Sequence, residues 1–315
     1  MRKTGFAAAL AVVLVLCPIR AGAETCLIPG GQAIGLRLRD DSLTVAAYDE
    51  ECPTGGAGLK IGDRIEKIDG TPVTSPEAVR AALEGAGGKA EVTILRGGRR
   101  QRVTVPLTEG RLGVYLRQGI SGIGTVTFYD PDTGTFAALG HGVSAQGGGL
   151  LTLRSGSAYR VGLGPIRRGL AGDPGQLRGE ADPAGLLGNL TKNTPQGVFG
   201  KLEGPLPGTP LPTADYGSIQ TGPATIRCTL DGTGVREYSV EILKIYPESK
   251  SNGRNLLLKV TDEALLTQTG GIIQGMSGSP IIQDGKIVGA VTHVLVNDPT
   301  RGYGIFIENM LDAAG

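Results

Sequence analysis

Ser277 stands in Gly275-Met276-Ser277-Gly278-Ser279-Pro280, just ahead of the strand formers Ile281 and Ile282. The flanking glycines permit a tight turn that pushes the serine hydroxyl outward and aims the N–H groups of Gly275 and Ser277 at one point. A hydroxyl beside two convergent donors suits acyl transfer, in which the oxygen attacks a carbonyl and the donors hold the developing oxyanion. The same six residues would also serve as a plain turn. The chemistry therefore needs a base, and a group to orient that base, from elsewhere in the chain.

The chain has only two histidines. His141 follows a strand in Ala138-Leu139-Gly140-His141-Gly142, where glycines expose the ring and let another strand come close. His293 lies inside the apolar strand Gly289-Ala290-Val291-Thr292-His293-Val294, a setting that suits a packed or groove-lining residue. His141 is therefore the expected base. An orienting carboxylate has four candidates: Asp262, Asp215, Asp182 and Asp130. Asp262 closes a strand and precedes the serine turn, whereas the others sit in Pro/Gly turns. Its alternative role is the N-cap of the helical segment that follows.

These groups need strands to hold them, and the composition supplies the means. Fifty-three glycines, nineteen prolines and no tryptophan in 315 residues favour short strands and tight turns over long helices. A formal charge of +1 with no basic tract speaks against nucleic acid as a partner. Residues 1–23 read as an export signal: Arg2 and Lys3, an apolar run from Phe6 to Cys17, then Ala21-Gly22-Ala23 as a small-x-small cleavage site. An uncleaved anchor is the alternative. Cleavage would remove three of the 31 basic side chains and none of the 30 acidic ones, and would place a soluble protein outside the cytoplasm. Cys26, Cys52 and Cys228 would remain. Their spacing matches no metal motif, and neither a metal nor a cofactor is expected. Export would permit a Cys26–Cys52 disulfide, and unpaired thiols are the alternative.

After this signal comes a unit of about eighty residues. Ile34–Leu38 and Leu43–Ala47 alternate like strands, Ser75 before Pro76-Glu77 caps a helix running to about Leu83, and Glu91–Arg96 with Arg102–Val105 makes a hairpin. The run Ala57-Gly58-Leu59…Gly62-Asp63…Ile65…Ile68-Asp69-Gly70 resembles the PDZ domain of bacterial protease-associated type, over about residues 33–108. The resemblance implies a groove between a strand and a helix that takes the C-terminal end of a peptide as an added strand, with Ile34-Gly35-Leu36 at the carboxylate loop. A purely packing or regulatory unit is the alternative.

From Arg111 onward the expected strands are Gly124–Tyr129, Leu150–Arg154, Ala224–Leu230, Glu237–Ile245, Leu256–Thr261, Pro280–Ile282 and Lys286–Val294. They are short and separated by turns, which predicts a barrel or sandwich. Gly169–Gly217 reads as a long loop with little periodicity. The serine turn is similar to the Gly-x-Ser-Gly-Gly-Pro turn of chymotrypsin-like proteases. Leu139–Gly142, Lys259–Asp262, Gly270–Pro280, Gly289–Val294 and Val296–Glu308 together resemble the SpoIVB peptidase family, residues 111–315 forming the peptidase domain.

That resemblance implies a mainly β protein, a PDZ domain followed by a chymotrypsin-like barrel protease, with His141 as base, Asp262 as orienting acid and Ser277 as nucleophile. Gly275 and Ser277 would supply the oxyanion donors, and Thr292 and His293 would line the substrate groove. Asp262 lies nearer the serine than the acid does in chymotrypsin-like enzymes. The resemblance further implies cleavage of a membrane-bound sporulation regulator, and of the enzyme itself, in the space between forespore and mother-cell membranes. The alternatives are an exported quality-control protease of broad activity and a peptide-binding scaffold with an inactive protease domain.

Overall fold

Alternation becomes burial in strands such as Arg236–Ile245, where Tyr238, Val240 and Ile242 are buried while Glu237 and Ser239 face solvent. Each such side chain contributes roughly 1.5–3 kcal/mol on burial, enough to fix which face points inward. A computed structural model describes residues 25–52, 56–145, 149–247 and 253–315. The expected signal, residues 1–23, lies outside the described residues.

The chain opens with β1 (Cys26–Pro29) and the 16-residue β2 (Ala33–Tyr48). Then come β3 (Arg64–Ile68), β4 (Thr71–Pro72), helix α1 (Pro76–Leu83), β5 (Lys89–Arg96) and β6 (Arg99–Pro106). A second 16-residue strand, β7 (Val114–Tyr129), leads to β8 (Thr135–Ala138), β9 (Ser155–Leu163), β10 (Gly179–Thr194), β11 (Gly197–Leu202) and β12 (Leu211–Pro212). The last part holds β13 (Gly222–Cys228), β14 (Arg236–Ile245), β15 (Leu256–Val260), helix α2 (Glu263–Thr269), β16 (Pro280–Gln283), β17 (Lys286–Leu295), β18 (Asp298–Phe306) and helix α3 (Ile307–Ala314).

Antiparallel pairing closes a first barrel in the order β2–β7–β8–β11–β10–β9, with β9 returning to β2. A second closed barrel runs β13–β14–β15–β18–β17–β16. The fold is mainly β: a smaller unit with one helix beside two closed six-stranded barrels.

The smaller unit packs Leu43, Val45, Ile65, Ile68, Val79, Leu83, Val92 and Ile94 into its own core. Ser75 caps α1 by accepting the Ala78 N–H at 3.1 Å. Asp63, 1 % exposed, is gripped by Arg96 through Nε at 2.7 Å and Nη2 at 2.5 Å, and it also accepts the Lys60 N–H at 2.7 Å. This fork ties the Gly-Asp turn to the β5–β6 hairpin.

The two units interleave instead of following one another. The first half of β2 pairs with β7 and β9 in the barrel, whereas its second half pairs with β3 in the smaller unit. Strand β7 returns across the same junction, so both long strands belong to both units. The stretch read as a featureless loop contains the β10–β11 hairpin. Pro183 falls where the β10–β9 register shifts between Ala181 and Leu186, and that break erased the alternation. The strand expected at Leu150–Arg154 begins instead at Ser155.

Candidate active site

Two consecutive left-handed residues, Leu139 (φ 72°) and Gly140 (φ 67°), swing the chain out of β8 and present His141. A side chain at Gly140 would press on Thr292 Cγ2 at 2.9 Å and Ile305 Cγ2 at 3.1 Å, so glycine is what lets β17 and β18 approach. Leucine is a poor fit for this region of φ/ψ space, and such backbone strain clusters at functional sites.

His141 Nδ1 lies 3.0 Å from the carbonyl of Gly142. A carbonyl only accepts, so Nδ1 carries the proton and the Nε2 lone pair is left as the basic site. Burial also pulls the imidazole pKa below its ordinary 6.5, against the opposing effect of the Gly142 carbonyl.

Ser277 follows Gly275 (φ 100°) and precedes Gly278 (φ 98°). The turn is pinned by Gly278 N–H to Val291 O at 2.7 Å, Ser279 N–H to Met276 O at 3.0 Å and Met276 N–H to Ile273 O at 3.1 Å. Among the described residues, the N–H groups of Gly275 and Ser277 meet no acceptor. The Ser277 hydroxyl donates to the carbonyl of Thr292 at 2.7 Å. A cavity of about 480 Å³ is lined by Ser277, Gly275, His141 and His293, with apolar walls from Leu36, Leu38, Ile120 and Leu139. A serine hydroxyl, an imidazole and two uncommitted donors thus share one opening.

Residues 108–311 match the family model for the SpoIVB peptidase S55, and residues 33–107 match that for the PDZ domain. The chain belongs to the SpoIVB peptidase family. It is a serine peptidase with a PDZ domain, and the two domains together imply a protein or peptide substrate. Solved structures give weaker likenesses. The Rv3671c protease from M. tuberculosis in its active form is 15% identical, with a TM-score of 0.35, over 61% of this chain and 72% of that one. The HtrA-type protease AlgW with tripeptide is 14% identical, with a TM-score of 0.37, over 61% of this chain and 54% of that one. No match was found among curated proteins.

The structure does not bring Asp262 to His141. Its carboxylate caps α2, accepting the Leu265 N–H at 2.9 Å and the Ser239 N–H at 3.3 Å. It also lies beside the buried thiol of Cys228, whose pKa is pushed up to about 12 by burial first and by Asp262 second. Asp130 and Asp182 are occupied with their own turns, at Asp132 and Ala184, and Asp215 precedes a short 3-10 turn. Among the described residues no carboxylate lines the Ser277 cavity or pairs with His141.

What does stand beside His141 is His293, its ring centroid 5.2 Å away and tilted by 36°. Burial, the neighbouring His141 and Arg254 lower the pKa of His293 to about 4. Thr292 contributes its backbone carbonyl, while its hydroxyl is turned to the carbonyls of Gly253 at 2.6 Å and Tyr303 at 3.2 Å.

One prediction follows from the imidazole in the peptidase. A base must be neutral to accept a proton, and His141 is held below 6.5 with no carboxylate to raise it. The acid limb of the kcat/KM against pH profile should therefore have its midpoint below 6.5. A midpoint above 6.5 would require a carboxylate at the ring.

The expected peptide groove is not open at Ile34-Gly35-Leu36. Ile34, Gly35 and Leu36 are in mid-barrel, paired with β7 on one edge and β9 on the other, with Ile34 and Leu36 in the core. A strand with both edges paired has no N–H or C=O left for an added strand. A cavity of about 360 Å³ lies between α1 (Pro76, Val79, Leu83) and Gly110–Leu116. There β7 is paired with β2 along one edge, and its other edge meets no strand among the described residues. Gly110 (φ 73°) and Gly113 (φ 69°) shape the loop at the strand's head. Cys26 is exposed with a free thiol, so the disulfide with Cys52 is not formed.

Proposed function

We propose that the protein is an exported serine endopeptidase in which Ser277 attacks the scissile carbonyl, His141 Nε2 takes the serine proton, and the N–H groups of Gly275 and Ser277 hold the oxyanion. The observation that carries this reading is the shared cavity, where a basic lone pair, a hydroxyl and two unengaged N–H groups meet. Attack requires the hydroxyl to leave the Thr292 carbonyl, a rotation about one side-chain bond. As the Oγ–carbon bond forms, the proton passes to His141, which returns it to the leaving amine when the peptide bond breaks. Water then hydrolyses the acyl-enzyme by the same route.

The α1–β7 groove docks the C-terminal end of a protein partner along the unpaired strand edge. Family membership supports a narrow substrate, a membrane-bound regulator of sporulation in the space between forespore and mother-cell membranes, together with self-cleavage. The test uses the purified mature chain, a fluorophosphonate and its own processing as substrate. Parent protein is labelled and processed, whereas Ser277→Ala is neither. Equal labelling or equal processing of the two overturns the reading, and broad digestion of unfolded proteins would point to quality control instead.

A further inference from the structure

Thr125 lies on β7 where the first barrel meets the second, with no exposed surface. Its N–H donates to Ser277 O at 2.9 Å and its hydroxyl donates to Gly275 O at 2.8 Å. Its own carbonyl accepts the Leu139 N–H at 3.3 Å, two residues before His141. One residue of the first barrel therefore binds both ends of the Gly275–Ser277 tripeptide and the segment that presents the base.

The hydroxyl bond matters because of what Gly275 is free to do. The Gly275–Met276 peptide plane joins the two donor residues, and glycine at φ 100° has no side chain to limit its rotation. Both flanking peptide planes are pinned. The Gln274 carbonyl accepts the Leu177 N–H at 2.8 Å, and the Gly275 carbonyl accepts the Thr125 hydroxyl. A buried carbonyl that lost this donor would gain by turning toward another.

We propose that Thr125 is a positioning residue for catalysis: its hydroxyl holds the Gly275–Met276 peptide that sets one oxyanion donor against the other, and its backbone sets the distance between serine turn and base. Thr127 supplies an internal control. It lies two residues along the same strand, equally buried, but its hydroxyl meets no partner among the described residues. A merely structural role for buried threonine would treat the two alike.

The proposal rests on Ser277 being the nucleophile, and the experiment separates the two. A fluorophosphonate reacts by forming an Oγ–P bond as the P–F bond breaks, the serine proton passing to His141 and fluoride leaving, with the phosphoryl oxygen in the oxyanion site. In full-length mature protein, Thr125→Val should lower the maximal phosphonylation rate about 10–100-fold while the half-saturating probe concentration changes little, since the loss is one of transition-state alignment. Thr125→Ser should restore the rate to within a few-fold, and Thr127→Val should match the parent. Where Thr125→Val does not fold, Thr125→Ala removes the same hydroxyl without adding bulk and carries the same expectation. A parental rate in folded Thr125→Val or Thr125→Ala, with Ser277→Ala unlabelled, overturns this proposal alone. Labelling of Ser277→Ala overturns the nucleophile beneath it.

Discussion

His141→Ala should abolish fluorophosphonate labelling of Ser277, while Asp262→Asn should be labelled at close to the parental rate. The first effect is the larger: removing the general base of a serine hydrolase costs at least about 10⁴-fold, because the hydroxyl is a weak nucleophile until its proton has an acceptor. The second expectation comes from what holds each group. His141 Nδ1 donates to the Gly142 carbonyl, which fixes the tautomer that an aspartate fixes in related chemistry. Asp262 spends its oxygens on the N–H groups of Leu265 and Ser239. Asparagine can keep the α2 cap but must set its NH2 against one of these two N–H groups, so Asp262→Asn should lose about 1 kcal/mol and Asp262→Ala about 1–2 kcal/mol. Labelling kinetics with chemical denaturation of the same samples would decide. A drop of about 10⁴-fold in Asp262→Asn would make Asp262 the orienting acid and require the second barrel to move it to the ring.

How far the sequence could be read depended on the range of the information. The serine turn and the Gly140–Gly142 turn are written in consecutive residues, because glycines at positive φ and a close strand approach leave a local mark. The Ser75 cap and the β5–β6 hairpin were legible for the same reason. Asp262 was not, since a residue that ends a strand also begins α2, and only the neighbouring Ser239 and Leu265 amides show which role it takes. Thr125 gave no sign at all: a threonine beside Val126 in a strand reads as an ordinary β former.

The interleaving of domains was hidden by a related ambiguity. The pattern in β2 is continuous from Ala33 to Tyr48, and nothing in it marks where barrel pairing gives way to pairing with β3. The consequence is functional. The β7 segment that walls the α1 cavity continues without interruption to Thr125, which bonds to the serine turn. The wall of the proposed docking cavity and the brace of the serine turn lie on one strand.

Gly278 is the position where the closeness of the two barrels can be tested most severely. A Cβ there would lie 2.0 Å from Thr125 O and 2.5 Å from Leu139 N, both of them backbone atoms of the first barrel, and φ is 98°. Neither neighbour can yield as a flexible side chain would. The barrels would have to separate, or the Gly278 N–H would have to abandon Val291 O. Gly278→Ala should therefore cost more than about 4 kcal/mol, a size reserved for substitutions that break a buried backbone arrangement. Gly285 separates the steric effect from the conformational one. It too has positive φ, 75°, in the β16–β17 turn, but a Cβ there meets nothing within 4 Å. Gly285→Ala should cost only the left-handed backbone penalty, about 1–2 kcal/mol, and leave labelling intact. Denaturant unfolding of the two variants would measure the difference. Similar costs at both positions would mean that the barrels do not meet at Thr125, and the close contact on which the serine turn depends would be lost as an explanation.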